Sequence, residues 1–74
     1  MLDRAEGVLV GLRRCNIDAA FDEIVAVSQR HNVPAFRVAQ ALVELAEGKQ
    51  PRDDDAANVA RTEWSELLAE VTLP

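Results

Sequence analysis

The feature that most constrains this chain is a run of three short segments in which apolar side chains recur every three or four residues. The segments are separated by Asn16 and by Asn32-Val33-Pro34, and the third ends at Gly48. This spacing places the apolar side chains on one face of an α-helix. Helices this short are not stable alone in water. The sequence therefore predicts three helices that pack together as a bundle.

Local signals predict where these helices begin and end. Asn16 suits the N-cap of the second helix, Pro34 is accepted in the first turn of the third, and Gly48 is typical just past a helix end. The predicted apolar faces are Leu2, Ala5, Val8, Leu9 and Leu12 in helix one, from about residue 2 to 14; Ile17, Ala20, Phe21, Ile24, Val27 and Ser28 in helix two; and Ala35, Val38, Ala39, Leu42, Leu45 and Ala46 in helix three.

A fourth helix is predicted after a polar linker. Residues 48–55 have a helix breaker at the start and three aspartates, Asp53 to Asp55, at the end, where acidic side chains favour a helix N-terminus. The fourth helix spans about residues 56–71, with Ala57, Ala60, Trp64, Leu67, Leu68 and Val71 on one face. We expect an all-α chain: a three-helix domain over residues 1–47, a linker over 48–55, and an amphipathic helix with its tail over 56–74. The fourth helix can pack on its own bundle or on a second chain.

Composition excludes several classes of protein. A chain of 74 residues holds a single small domain. One cysteine, Cys15, which we expect as a half-buried thiol in a turn, allows no internal disulfide and favours a reducing, cytoplasmic setting. No apolar run is long enough to span a membrane. Carboxylate pairs such as Asp22-Glu23 have no nucleophile or base beside them, so we expect neither an enzyme nor a cofactor or metal site.

The charge distribution bears on nucleic-acid binding. The chain has 8 basic and 13 acidic residues, a net charge of −5, and phosphates are normally met by a basic protein. Residues 1–37, however, hold five arginines and five acidic residues, so the whole net charge comes from residues 38–74. The charge predicts weak, salt-sensitive binding but does not exclude a nucleic-acid partner.

The order of several short motifs resembles one family. Ala5-Glu6-Gly7-Val8-Leu9-Val10 resembles the Ala-Lys-Gly-Ile-Leu-Met opening of the ANTAR domain, Asp18-Ala19-Ala20-Phe21 resembles its acidic-x-Ala-Phe segment, and Ser28, Asn32, Val38-Ala39 and Leu42-Val43 follow at the family's spacing. The resemblance covers about residues 2–47. It implies a three-helix module that binds paired RNA hairpins in a nascent leader transcript and so prevents termination of transcription, with no chemical step.

The resemblance also implies partners, and two of the sequence's departures from the family bear on RNA binding. A homodimer and an upstream sensor or receiver domain are expected, so the chain is an excised C-terminal fragment or a stand-alone member. Glu6 stands where the family commonly has lysine, on a surface expected to approach RNA, and residues 25–27 lack the arginines of many members. These departures support an alternative, a protein-interaction or dimerisation module of the same fold that has lost RNA binding, beside the leading hypothesis of an RNA-binding module.

The first candidate RNA-binding group lies on helix one. Arg4, Gly7, Gly11 and Arg14 fall within about 80° of one another, opposite the apolar face. A glycine inside a helix costs about 1 kcal/mol relative to alanine, so each needs a compensating role. One interpretation is a flat backbone surface, flanked by Arg4 and Arg14, that a sugar–phosphate chain can approach. The other is close packing against another helix, which we weigh equally for Gly7 and favour for Gly11.

The second candidate group surrounds the turn between helices two and three. Arg30 and Arg37 can hold phosphates, and Asn32 can offer its amide to a base edge. The alternative is a solvated helix end. His31 falls near the inner face of helix two, which favours a hydrogen-bonded histidine at the edge of the core.

A second apolar strip is predicted on helix three. Phe36, Gln40 and Val43 share a face turned away from the core. Phe36 can stack on an unpaired base, but we expect the strip to be covered by protein, namely the helix that carries Trp64.

Overall fold

The computed structural model describes residues 2–72, with side-chain surroundings through residue 69. It contains four α-helices: α1 (Leu2–Arg13), α2 (Ile17–His31), α3 (Ala35–Ala46) and α4 (Asp54–Thr72). Residues 2–72 contain no β-strand. The all-α prediction is confirmed, and each predicted helix end lies within two residues of the observed one.

The helix starts follow the capping chemistry that the sequence predicted. Asn16 has extended backbone geometry, and its side-chain oxygen accepts a hydrogen bond from the Ala19 amide at 2.7 Å. The Asp53 side chain likewise caps α4, because its Oδ1 accepts a hydrogen bond from the Ala56 amide at 3.1 Å. Pro34 lies at the N-cap of α3 rather than in its first turn. Such caps satisfy amides that have no partner inside the helix.

Left-handed residues terminate α2 and α3. Asn32 has a φ of 56°, and the next amide, of Val33, donates to the Ser28 carbonyl at 3.0 Å. Gly48 has a φ of 76°, and its amide donates to the Leu45 carbonyl at 3.1 Å. Gly48 therefore ends α3 as predicted, since glycine adopts this conformation without steric cost.

Helix α3 lies at the centre of the fold, because it packs against α1, α2 and α4. Its buried surface is consequently wider than the single face predicted from the sequence. Ala41 and Val43 are buried as well, whereas Leu45 and Ala46 are half-buried. The large core residues that are almost fully enclosed are Leu9, Ile24, Val38, Leu42 and Trp64.

Helix α4 packs on its own bundle, chiefly on α3. Trp64 is 1% exposed, and its indole Nε1–H donates to Glu23 Oε2 of α2 at 2.5 Å. The backbone departs from helical geometry at Trp64, which marks a kink in α4. The predicted apolar face is otherwise buried or half-buried through Leu68, while the predicted contact of Val71 lies outside the described side chains.

The predicted inner face of α2 was too broad. Ala20, Ile24, Val27 and Ser28 are buried, but Ile17 is 62% and Phe21 41% exposed. On a helical projection Phe21 lies about 70° from the centre of the buried arc, whereas Ile17 lies within the arc but is the first residue of α2. The bundle leaves the edge of the arc and the start of α2 exposed, so the prediction that Ile17 and Phe21 belong to the core is wrong.

Candidate nucleic-acid interface

The glycine face of α1 is open. Arg4, Gly7 and Gly11 are exposed, and a Cβ atom added at either glycine would meet no atom within 4 Å. Neither glycine therefore packs against another helix within the described part of the chain. Packing against a second copy of the chain and close approach of a ligand to the α1 backbone both stay as predictions.

Arg14 lies just beyond α1 rather than inside it. The helix ends at Arg13, and Arg14 has a φ of 56°, with its amide donating to the Val10 carbonyl at 2.9 Å. Helical spacing therefore no longer fixes the direction of its side chain. Within residues 2–69, neither Arg4 nor Arg14 is held by an acidic side chain. Both are exposed, so both guanidinium groups are available to a phosphate.

Glu6 does not lie on this open face. Its exposed fraction is 9%, and its position two residues after Arg4 rotates it by about 200° around α1. The expectation that Glu6 reverses the charge on the surface approaching RNA is wrong. The departure from the family's lysine therefore leaves the face of Arg4 and Gly7 unchanged.

At the turn between α2 and α3, one carboxylate of α4 holds an arginine and a histidine side chain. Arg30 Nη1 donates to both oxygens of Glu63 at 2.7 Å, and His31 Nε2 lies 2.7 Å from Glu63 Oε2. The hydrogen bond with His31, followed by that with Arg30, lowers the pKa of Glu63 below its ordinary value. His31 is half-buried and hydrogen-bonded at the edge of the core, as predicted.

Arg37 is paired in the same way with Asp53. Its Nη2 donates to Asp53 Oδ1 at 2.8 Å, and its Nε donates to Asp53 Oδ2. The hydrogen bond from Arg37, assisted by the backbone amide of Ala56, lowers the pKa of Asp53 to about 2. Asp53 thus caps α4 and holds a guanidinium of α3 at the same time.

Asn32 has a different environment from its two neighbouring arginines. It is exposed, and its left-handed backbone is fixed by the end of α2. In the described part of the chain its side-chain amide has no hydrogen-bond partner. Arg30, Asn32 and Arg37 therefore flank one turn, as predicted, but only the Asn32 side chain is unpartnered.

The prediction that protein covers the second apolar strip of α3 is wrong at Phe36. The strip is covered at Val43, which is buried, and partly at Gln40, but Phe36 is 57% exposed. The cover does not extend to the first turn of α3. An aromatic ring is consequently open to solvent in the first turn of α3.

The acidic partners of these arginines are not predicted from the sequence. Asp53 is expected only as an acidic residue at the start of the fourth helix, Glu63 has no predicted role, and no local pattern links either one to an arginine 16 or 33 positions earlier. Cys15 is half-buried as predicted, with its thiol 3.8 Å from the Leu9 carbonyl. Residues 2–72 contain no helix long and apolar enough to cross a membrane, and no described cluster of three metal-ligating side chains.

Comparison with protein families identifies this arrangement. The ANTAR domain matches residues 1–43, which span α1, α2 and most of α3. This segment includes the candidate RNA-binding residues Arg4, Gly7, Arg14, Arg30, Asn32 and Arg37. No match was found among curated proteins or solved structures. The ANTAR domain is a non-catalytic, RNA-binding regulatory domain of transcription antitermination regulators. Because the match covers 43 of 74 residues, more than half, this chain belongs to the ANTAR family.

Proposed function

We propose that this chain binds hairpins in nascent leader RNA and thereby prevents termination of transcription. The observation that carries the proposal is the open face of α1 within the family-matched segment. There Arg4 and Gly7 are exposed, and Arg14 follows at the helix end, without acidic partners among residues 2–69. The Arg4, Gly7 and Arg14 group is called the α1 face below.

The chemistry of the α1 face suits an RNA backbone. Paired RNA is recognised mainly through its phosphates and 2′-hydroxyl groups. Arginine binds phosphate through charge-assisted, often bidentate hydrogen bonds. An open glycine between two arginines lets the sugar–phosphate chain approach the helix without meeting a side chain.

The turn between α2 and α3 provides the second part of the proposed interface. The Asn32 amide is free to meet the edge of an unpaired loop base, and such bases are the usual targets of sequence-specific RNA recognition. Arg30 and Arg37 are proposed phosphate contacts. Each already donates to a carboxylate, so these two contacts are secondary to those of the α1 face.

The proposal includes two further partners, a second copy of the chain and a sensor or receiver domain. Both come from the family resemblance. The apolar face of α4 contacts α3 of its own bundle, so a homodimer would use another surface. Light scattering tests the second copy. A monomer that binds a two-hairpin RNA would remove the homodimer from the proposal and leave RNA binding intact.

The experiment that tests RNA binding combines substitution with salt titration. Arg4→Ala with Arg14→Ala removes both arginines of the α1 face, while Arg61→Ala removes an exposed arginine of α4 as a control. Affinity is measured for a two-hairpin leader RNA over a range of salt concentrations. The logarithm of the binding constant falls by about 0.7–0.9 per phosphate contact for each tenfold rise in salt. The double variant should therefore bind more weakly. Its slope of log binding constant against log salt concentration should be smaller in magnitude by about 1.5.

Two outcomes would refute the proposal. One is no detectable binding of the wild-type chain at low salt, which would favour the alternative of a protein-interaction module. That alternative has one structural support, the exposed Ile17 and Phe21 on α2. The other outcome is that Arg61→Ala loses as much binding free energy per arginine removed as the double variant does, which would show a response to overall charge rather than a contact at the α1 face.

A further inference from the structure

The carboxylates that hold Arg30 and Arg37 come from outside the family-matched segment. Glu63 belongs to α4 and Asp53 caps it, whereas the match ends at residue 43. We propose that Asp53 and Glu63 are intramolecular competitors of RNA, which occupy these arginines until phosphates displace them. This inference rests on the proposed function and adds a regulatory contact to it.

The geometry of the pairs supports competition. A carboxylate and a phosphate both present two oxygens to the same guanidinium fork. Arg37 uses two nitrogens on Asp53, and Arg30 places one nitrogen 2.7 Å from each oxygen of Glu63. A phosphate that binds through these same nitrogens must displace the carboxylate.

Displacement does not require α4 to leave the bundle. Trp64 and Ala60 are buried and anchor the helix on the core, while the Arg30 and Arg37 side chains are 59% and 43% exposed. Exposed pairs of this kind are weak. The arginine side chains can therefore swing from carboxylate to phosphate at the rim while the apolar contacts stay in place.

The charge distribution along the chain agrees with this role. Residues 1–43 carry five basic and five acidic residues, a net charge of zero. Residues 44–74 carry three basic and eight acidic residues, a net charge of −5. The segment that supplies both carboxylates is therefore the acidic part of the molecule. A ligand that contacts only the α2–α3 turn must displace these carboxylates and gains no binding free energy from the α1 face. Its binding is therefore weakened most.

The test compares two double variants that change net charge equally. Asp53→Asn with Glu63→Gln frees Arg37 and Arg30 and keeps the helix cap, because asparagine caps as well as aspartate. Asp54→Asn with Glu66→Gln neutralises two exposed carboxylates that hold no arginine in the described part of the chain. Affinity for the two-hairpin RNA is measured at one salt concentration, and circular dichroism checks that both variants remain folded.

We expect the first variant to bind RNA roughly threefold to tenfold more tightly than the control variant, given the usual strength of two exposed pairs. Arg30→Ala with Arg37→Ala should weaken binding more in the Asp53→Asn, Glu63→Gln background than in the wild type, because only there are both guanidinium groups free. Equal affinities of the two carboxylate variants, with the wild type still binding, would overturn the competition and leave RNA binding standing. Absence of binding in every variant and in the wild type would overturn both.

Discussion

Replacing Trp64 with alanine should remove a large share of the stability of this domain. The indole is 1% exposed between α4 and the rest of the core. Deleting a buried tryptophan down to alanine costs about 3–5 kcal/mol, through lost burial and the cavity left behind. A chain of 74 residues has a free energy of unfolding of about 4–11 kcal/mol, at 0.05–0.15 kcal/mol per residue. Trp64→Ala should therefore remove at least about a quarter of that free energy and leave the domain close to unfolded at the lower bound.

Trp64→Phe separates the two contributions of this side chain. Phenylalanine keeps most of the apolar volume but loses the indole N–H that donates to Glu23 at 2.5 Å. Glu23 still accepts a hydrogen bond from Arg13 Nε at 3.0 Å, so its charge is not left without a partner. We expect a loss of about 2 kcal/mol, the usual cost of a hydrogen bond to a charged group.

Urea unfolding followed by far-ultraviolet circular dichroism is the suitable assay, because the substitutions remove the chain's one tryptophan. Ser65→Ala, at an exposed neighbouring position, serves as the control and should change the free energy of unfolding by less than about 0.5 kcal/mol. An unfolding midpoint of Trp64→Ala equal to that of the wild type would refute the reasoning. It would mean that α4 does not share the core of α1, α2 and α3.

Two further predictions concern single residues with unusual backbone or charge. Arg14→Gly should leave the domain at least as stable as the wild type, since glycine tolerates a φ of 56°. The same substitution should weaken RNA binding. Thermal unfolding checks the first effect and RNA titration the second, and a clear loss of stability would contradict the first. The ion pair and cap of Asp53 contribute stability that is fully present above its ordinary pKa of 3.8 and is lost as pH falls from about 4 through about 2. Asp53→Asn should therefore flatten this part of the acid-unfolding curve followed by circular dichroism, and an unchanged curve would count against the pairing.

The ends of the helices could be predicted because they depend on local chemistry. Asn16, Asp53 and Gly48 each act on backbone groups within five residues along the chain, so their effect is visible in the sequence itself. The buried faces were predicted less well. Whether Phe21 or Phe36 is buried depends on how far the neighbouring helices extend over each side chain. The spacing of apolar residues within one helix does not predict the positions of its neighbours.

The same distinction applies to the candidate interface. Helical spacing correctly predicted that Arg4 and Gly7 share an exposed face, because both lie inside one helix. It could not reveal that Glu63 holds Arg30, since those residues are 33 positions apart and meet only through the packing of α4. The left-handed backbone of Arg14 was missed for a related reason, because the predicted helix extended one residue further than the observed α1.

For the RNA binding proposed above, the position of the negative charge matters more than its total. A net charge of −5 spread evenly would weaken every phosphate contact alike. In this fold two of the acidic side chains are placed on Arg30 and Arg37, and described acidic side chains hold neither Arg4 nor Arg14. Screening by salt is strongest between exposed charges that lie far apart and weaker for groups in contact. For the RNA binding proposed above, contacts through the paired nitrogens of Arg30 and Arg37 therefore require displacement of a carboxylate, whereas contacts at the α1 face do not.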